Sequence, residues 1–139
     1  TVDIGVDAYI PEKYIKNSEQ RIEIYKRIAA ISNDEQAIDV RDELMDRFGE
    51  IPKPVLNLVD ISLIRNLASV KQIKEINQNG QNLIFYVETV NQEAMSFLAQ
   101  EYKGAFLFGA GKKPHFVVKN LKKENLIHFI LGILNLYHS

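Results

Sequence analysis

The sequence has no cysteine, carries almost no net charge and contains no long hydrophobic run. The absence of cysteine excludes a disulfide scaffold, a thiolate metal site and cysteine catalysis. Seventeen Lys and Arg against 18 Asp and Glu leave a net charge of −1, which gives general nucleic-acid or membrane binding no support. The longest mostly apolar stretch, Leu126–Tyr137, is too short to span a bilayer.

The remaining composition is that of an ordinary globular domain. Of the 139 residues, 46% are hydrophobic and 25% are charged, so we expect a single domain over 1–139. Residues 1–10 include Asp3 and Asp7 and have no basic start, unlike a secretory signal. These features predict a soluble, cytoplasmic protein. The charges are uneven along the chain, because residues 1–60 have a net charge of −5 and residues 61–139 one of +4.

A strand pattern opens the chain. Apolar residues occupy every second position from Val2 to Ile10, and Pro11 ends the alternation. We therefore predict an entering strand or linker over 1–12. Because the chain opens inside this pattern without a methionine, we expect it to come from a longer polypeptide.

A helical part over 18–70 is predicted next. The first helix begins at Ser18, whose hydroxyl would cap it, and the second runs over about Glu35–Phe48 and stops at Gly49. Pro52 and Pro54 start the third. Helical spacing predicts the buried face of each helix. For the first it consists of Ile22, Tyr25, Ile28 or Ala29 and Ser32, and for the second of Ala37, Ile38, Val40, Leu44, Met45 and Phe48. For the third it consists of Leu56, Val59, Leu63, Leu67 and Val70, widened by Val55, Leu58 and Ile61.

The pattern of residues 73–138 predicts two successive strand-strand-helix units. Two short β-like runs meet at Asn79-Gly80, a strong hairpin signal, and Asn91 caps a helix with Ala94, Phe97 and Leu98 inward. Runs over 105–108 and 115–118 form the second hairpin, and a last helix covers roughly 122–137. The predicted fold is α+β: an N-terminal strand and three-helix region, then two strand-strand-helix units that form a small mixed sheet.

No catalytic, metal-binding or cofactor-binding constellation is recognisable. The stretch Gly109-Ala110-Gly111-Lys112 resembles a phosphate-binding loop, but Phe106 and Lys113 stand where that loop needs Gly and Ser or Thr, so a hairpin turn is favoured. The histidines, His115, His128 and His138, have no metal-ligand spacing. No serine has a Gly-x-Ser-x-Gly setting. We therefore expect no enzyme activity, metal or cofactor in this chain.

The second helix carries a compact acidic arc. On a helical wheel Glu35, Asp39, Asp42, Glu43 and Asp46 lie together, and Arg41 and Arg47 lie outside the arc. The pattern allows two interpretations, a solvated face or a docking surface for a partner rich in Arg or Lys. Charge pattern alone does not choose between them.

Three segments carry a family resemblance. Asp7–Pro11, Arg21–Ala29 and Asp42–Val55, the last with Glu-Leu-Met-Asp-Arg-Phe-Gly-Glu-Ile-Pro-Lys-Pro, resemble the C-terminal domain of the bacterial transcription-repair coupling factors, the Mfd family. The resemblance covers essentially the whole chain and weakens after Ile76. Related sequences often carry a Gly near Lys71 and Gln72, which this chain lacks.

The resemblance implies a role in transcription-coupled nucleotide excision repair. Members of the family are bacterial DNA translocases that use ATP and magnesium in upstream motor domains to push stalled RNA polymerase off a lesion and then recruit UvrA. Their C-terminal domain packs on a UvrB-like module and masks its UvrA-binding surface. The resemblance therefore implies that this chain is a non-enzymatic, autoinhibitory domain whose partner is the UvrB-like module. It also implies that RNA polymerase and DNA are bound by other domains and that the chain contacts no membrane.

The same resemblance implies the docking residues. The family contacts fall in Glu-Leu-x-Asp-Arg, which corresponds here to Glu43, Asp46 and Arg47, and the neighbouring Asp39 and Asp42 extend the arc. An alternative from the residues themselves is a nucleic-acid-contacting accessory domain. Its basic patch would consist of Lys112, Lys113, Lys119, Lys122 and Lys123.

Overall fold

The computed structural model describes residues 1–109, 111 and 113–137, which form five strands and five helices. In chain order these are β1 (Val2–Asp3), α1 (Ser18–Ala29), α2 (Asp34–Phe48), α3 (Lys53–Val70), β2 (Ile73–Asn79), β3 (Asn82–Val87), α4 (Gln92–Glu101), β4 (Phe106–Gly109), β5 (His115–Lys119) and α5 (Leu126–Leu136). The predicted α+β class and the two strand-strand-helix units are confirmed. Two compact units are distinguishable, residues 6–66 and residues 1–5 with 67–139, and one domain over 1–139 stays a prediction.

The helical unit, residues 6–66, contains α1, α2 and most of α3. Asparagine side chains begin the first two helices: Asn17 accepts from the Gln20 amide and Asn33 from the Gln36 amide. The prediction that Ser18 caps α1 is therefore wrong by one residue. Gly49 ends α2 as predicted, with a φ of 86° that favours glycine.

The buried face of α1 agrees with the predicted one at Ile28 and differs from it elsewhere. Ile24 and Ile28 are buried, whereas Ile22 is 56% exposed and Tyr25 lies at the edge, where its hydroxyl oxygen accepts from the Ile10 amide. Apolar residues occupy two adjacent stripes of this helix, and only tertiary packing decides which stripe is covered. In α3 the predicted Val55, Val59 and Leu63 are buried, whereas Val70, also predicted inward, is exposed.

The sheet unit has the strand order β1-β2-β3-β5-β4 among the described residues. β1 runs parallel to β2, and the other neighbours are antiparallel, so the sheet is mixed as predicted. Gly80, with a φ of 62°, supplies the turn between β2 and β3. Leu83 and Phe85 of β3 and Phe116 and Val118 of β5 are fully buried, so one face of the central strands forms the core.

The opening strand is shorter than predicted. The alternation is real, since the even-numbered positions from Val2 to Ile10 are less exposed than their neighbours, but only β1 pairs with another strand. The Gly5 amide donates to the side chain of Gln78 instead of to a backbone carbonyl. A strand needs a partner for its backbone groups, and among the described residues strand pairing in this segment is limited to Val2 and Asp3.

The last helix begins later than predicted, at Leu126 instead of about Lys122. The side chain of Asn120 holds the Glu124 backbone in a turn, and Lys123 has a φ of 52°, which a helix does not allow. Asn125 then caps α5. In α4 the Asn91 cap is confirmed, but Phe97, predicted inward, is 50% exposed.

The boundary between α3 and β2 contains a left-handed backbone conformation of the kind that favours glycine, although the sequence has no glycine there. Gln72 has a φ of 62°, and its backbone is held by the Gln72 amide donating to Ser69 and the Glu88 amide donating to the Gln72 carbonyl. A side chain in this left-handed region costs about 1–2 kcal/mol.

Replacing Gln72 by glycine is therefore expected to stabilise the protein. The strain that is relieved is larger than the entropic cost of a more flexible unfolded chain. We therefore expect the free energy of unfolding, measured in urea, to rise by about 0.5–1 kcal/mol. Gln100→Gly on the helical backbone of α4 is the matched control and should cost about 1 kcal/mol. A loss of stability in Gln72→Gly would contradict the strain.

In the described residues no helix is both long and apolar enough to cross a membrane.

Candidate protein-docking site

The outer face of α2 presents the acidic arc predicted from the sequence. Ala37, Val40 and Leu44 are buried on the inner face, and Asp42 and Asp46 are exposed on the opposite one. Glu35 and Asp39 are exposed there too. Within the described ranges none of these four carboxylates has a Lys or Arg nitrogen within 4 Å. The arc therefore retains its charge, and its members repel one another.

Glu43 differs from the rest of the arc because two arginines hold it. Arg27 of α1 bonds Glu43 Oε1, and Arg47, one turn along α2, donates to Oε2 at 2.9 Å. The hydrogen bond from Arg27, followed by that from Arg47, lowers the pKa of the Glu43 carboxyl below its ordinary range. Glu43 is thus an internal ion-pair partner, a role that the sequence pattern did not reveal because Arg27 belongs to another helix.

Arg47 and Arg41 are also engaged. The Arg47 guanidinium lies 4.9 Å from the centre of the Phe48 ring, close enough for a cation–π contact, and Arg41 lies 3.7 Å from Asp60. Both arginines therefore flank the arc with their charges already directed at other groups, so neither neutralises Asp42 or Asp46.

The Glu43 cluster predicts a pH dependence of stability. Its carboxyl has a lowered pKa in the folded state, so its contribution is complete above the ordinary value of about 4.5 and is lost as pH falls through the folded value. Each half-exposed pair contributes about 0.2–1 kcal/mol. We expect Glu43→Gln to lose about 1 kcal/mol at pH 7 and less near pH 3, measured by urea unfolding at both pH values. An equal loss of stability at pH 7 and near pH 3 would show that the ion pairs of Glu43 contribute nothing. Asp42→Gln, at an unpaired position, is the control.

Two apolar side chains lie beside the acidic arc. Ile38 is 49% and Met45 is 52% exposed, although the sequence analysis placed both with the buried face. They are seven residues apart, two turns along one side of α2, next to Asp42. The predicted apolar half of the wheel was too wide, because only Ala37, Val40 and Leu44 of α2 are buried.

The lysines of the alternative patch that the structure describes are divided between two cavities and a turn. Lys119 and Lys122 line a cavity of about 280 Å³ together with Lys103, which the sequence analysis did not include. Lys113 lines a different cavity with Lys74 and Tyr86, at the other end of β5. Lys123 is exposed in the turn before α5, and Lys112 lies outside the described residues. The nucleic-acid interpretation stays a prediction.

Residues of metal-ligand type do not cluster. In 1–109, 111 and 113–137 no three His, Asp or Glu side chains come together in a way that could hold a metal ion. His115 lies in β5 near the Tyr86 ring, and His128 is exposed in α5. His138 and part of the turn with the phosphate-loop-like sequence lie outside the described residues. The acidic face of α2 is therefore the candidate functional site.

Comparison with known proteins identifies the family. The sequence model of the TRCF domain matches residues 4–98, about two thirds of the chain. The chain belongs to the TRCF domain family. The transcription-repair-coupling factor of Staphylococcus haemolyticus is 31% identical over 130 residues, and that of Bacillus subtilis is 32% identical over 112 residues. These alignments cover 94% and 81% of this chain but only 10% and 9% of the relatives, so this TRCF domain spans about a tenth of their length.

A solved structure supports the same fold. The crystal structure of a C-terminal domain of transcription-repair coupling factor superposes with a TM-score of 0.84, over 99% of this chain and 88% of the other, at 22% identity. The resemblance to the C-terminal domain of the Mfd family is thereby confirmed. In this TRCF domain the acidic arc and the Glu43 cluster both lie inside the segment that the family model matches.

Proposed function

We propose that this TRCF domain is a regulatory docking domain. Through α2 it packs on the UvrB-like module of its parent polypeptide, masks the UvrA-binding surface and holds a DNA-repair translocase in a repressed state. The observation that carries the proposal is the set of unpaired carboxylates on the outer face of α2, those of Glu35, Asp39, Asp42 and Asp46, inside the segment that the family model matches. No ATPase motif is recognisable in the sequence, which is consistent with a domain that regulates chemistry performed elsewhere.

The arrangement of charges suits a partner that carries arginines. Asp42 and Asp46 are four residues apart and exposed, so they repel each other by a few tenths of a kcal/mol in the free domain. An arginine of the partner would remove this repulsion and donate charge-assisted hydrogen bonds to the Asp42 and Asp46 carboxylates, for which no Lys or Arg nitrogen of the described residues competes within 4 Å.

The expected strength also suits a contact that must open. A charge pair at the rim of an interface contributes about 0.2–1 kcal/mol, so a few such pairs give a coupling of a few kcal/mol. A coupling of that size shifts a two-state equilibrium without making the closed state irreversible. Glu43 supports this surface indirectly, because its bond to Arg27 ties α2 to α1.

The test is calorimetric binding of this chain to a separately expressed UvrB-like module at two salt concentrations. Asp42→Lys with Asp46→Lys should raise the Kd by about 5–30-fold, which corresponds to about 1–2 kcal/mol, and should leave the unfolding midpoint nearly unchanged. Charge reversal at Glu43 is unsuitable, because it would leave Arg27 and Arg47 unpaired and disturb the fold.

The matched control reverses two exposed acids outside α2, Glu12→Lys with Glu23→Lys, and so changes the net charge equally. Its Kd should stay within about twofold of the parent chain's. The same Kd for the α2 variant and the parent chain would overturn docking through the acidic arc. Equal weakening in both variants would show a general charge effect and no defined surface.

A further inference from the structure

The outer strand of the sheet lacks the usual protection of a free edge. β4 ends the strand order, and in the part of the chain that the structure describes it pairs only with β5. Edge strands are commonly protected by charges, prolines or bulges. The sequence of β4, Phe-Leu-Phe-Gly, contains none of these, and its Leu107 and Phe108 are 54% and 48% exposed.

The register shows which backbone groups of β4 are free. The Lys119 amide donates to the Ala105 carbonyl, which makes these two residues a hydrogen-bonded pair immediately before β4. Because such pairs alternate along an antiparallel ladder, Leu107 and Gly109 bond β5, and the N–H and C=O groups of Phe106 and Phe108 point to the open edge. No hydrogen bond from another described element reaches those groups.

An uncharged groove lies beside this edge. A cavity of about 370 Å³ lies between α4 and β4, with Val90, Met95, Ala99 and Phe108 among its lining residues. Among the described residues that line it none is charged, although a quarter of the chain is. The acids of α4, Glu93 and Glu101, fall on the side of the helix away from the groove.

We propose that β4 and this groove bind an extended peptide segment, which adds a strand to the sheet and inserts apolar side chains at alternate positions between α4 and β4. The free backbone groups of Phe106 and Phe108 supply the ladder hydrogen bonds, and the groove selects the side chains. β4 is about 13 Å long at about 3.3 Å per residue, so the bound segment is four to five residues.

The groove determines the chemistry of the occupant. Alternate residues of an extended chain face the same side, so only every second side chain enters the groove. Because the groove offers no charge to pair with, those side chains are aliphatic and uncharged. The curated relatives are about ten times as long as this chain, so in proteins of that kind such a segment can belong to the same polypeptide, where tethering raises its effective concentration. This inference does not depend on the proposed docking through α2.

The probe is a fluorescein-labelled peptide of alternating Val and Thr, capped at both ends and titrated with the 139-residue chain by fluorescence polarisation. Its control has the same side chains but N-methyl groups on alternate residues, which remove the donors that face β4. We expect binding of the first peptide and at least about tenfold weaker binding of the second. Hydrogen exchange at the amides of Phe106 and Phe108 should slow when the first peptide is bound.

Two matched protein variants locate the site. Phe108→Lys should weaken peptide binding by at least about tenfold, and Phe97→Lys, at an equally exposed phenylalanine on the other side of α4, should leave it within about twofold. Any of four results would overturn the proposal. The first three are no binding at about 1 mM peptide, equal binding of the N-methylated peptide, and equal effects of the two variants. The fourth is a parent chain that is dimeric in solution and a Phe108→Lys variant that is monomeric. The last would assign the edge to a second copy.

Discussion

Replacing Phe116 by alanine is expected to lower the free energy of unfolding by about 3–5 kcal/mol. Phe116 lies in β5 and is fully buried. Its ring stacks on Phe85 of β3 at 4.7 Å between ring centres and on Tyr137, which follows α5, at 5.4 Å, and it lies 5.8 Å from the ring of Phe106. Truncation therefore removes packing from the sheet and from the chain end after α5 together, and the rigid strands on both sides of β5 limit how far the cavity can close.

Urea unfolding followed by circular dichroism measures this loss. Phe97→Ala is the matched control, because Phe97 is half exposed and its truncation should cost less than about 1 kcal/mol. The near-ultraviolet signal of the aromatic stack should fall in Phe116→Ala and persist in the control. Similar losses of stability in the two variants would contradict the central place of Phe116 in the core.

The architecture was predictable because its signals are local. Asn-Gly at 79–80, Gly49 after α2 and Asn91 before α4 each act within a few residues, and each has the predicted role. Asn17 was also readable, since its side chain accepts from an amide three residues on, but Ser18 is an equally good cap by residue type. Local chemistry thus places a helix start to within one residue.

Buried faces were less predictable because they depend on what each helix meets. Ile22 and Tyr25 form as plausible a stripe as Ile24 and Ile28, and only the second is covered. In α2 the apolar Ile38 and Met45 remain exposed beside the acidic arc. Composition and periodicity cannot distinguish a core position from an exposed apolar position next to it.

The candidate site was predictable in its residues but not in its connections. The acidic arc follows from spacing along one helix, and the structure places Asp39, Asp42 and Asp46 on its exposed face. The bond between Arg27 and Glu43 joins two helices and depends on their relative register, which the sequence does not specify. The free edge of β4 depends on the strand order, in which β5 lies between β3 and β4.

Asn120→Ala is the second change for which we expect a large effect, a loss of about 1–3 kcal/mol. Asn120 is buried, and its side chain both donates to the Glu124 carbonyl at 2.9 Å and accepts from the Glu124 amide at 3.0 Å. The backbone amide of Asn120 donates to the backbone carbonyl of Gln81, beside β3. The residue therefore closes the turn that holds Lys123 at its positive φ.

The expected consequence of Asn120→Ala is local as well as global. The Glu124 amide should lose its protection from hydrogen exchange, and α5 should fray at its first turn, because the turn no longer holds Asn125 in its capping position. Lys122→Ala changes an exposed side chain of the same turn and should alter stability by no more than about 0.5 kcal/mol. Asn120→Asp keeps an acceptor for the Glu124 amide but directs a second oxygen at the Glu124 carbonyl, so it should be no more stable than the alanine variant at pH 7. A fully stable Asn120→Asp would show that the bond from the Glu124 amide is sufficient and that the bond to the Glu124 carbonyl contributes nothing.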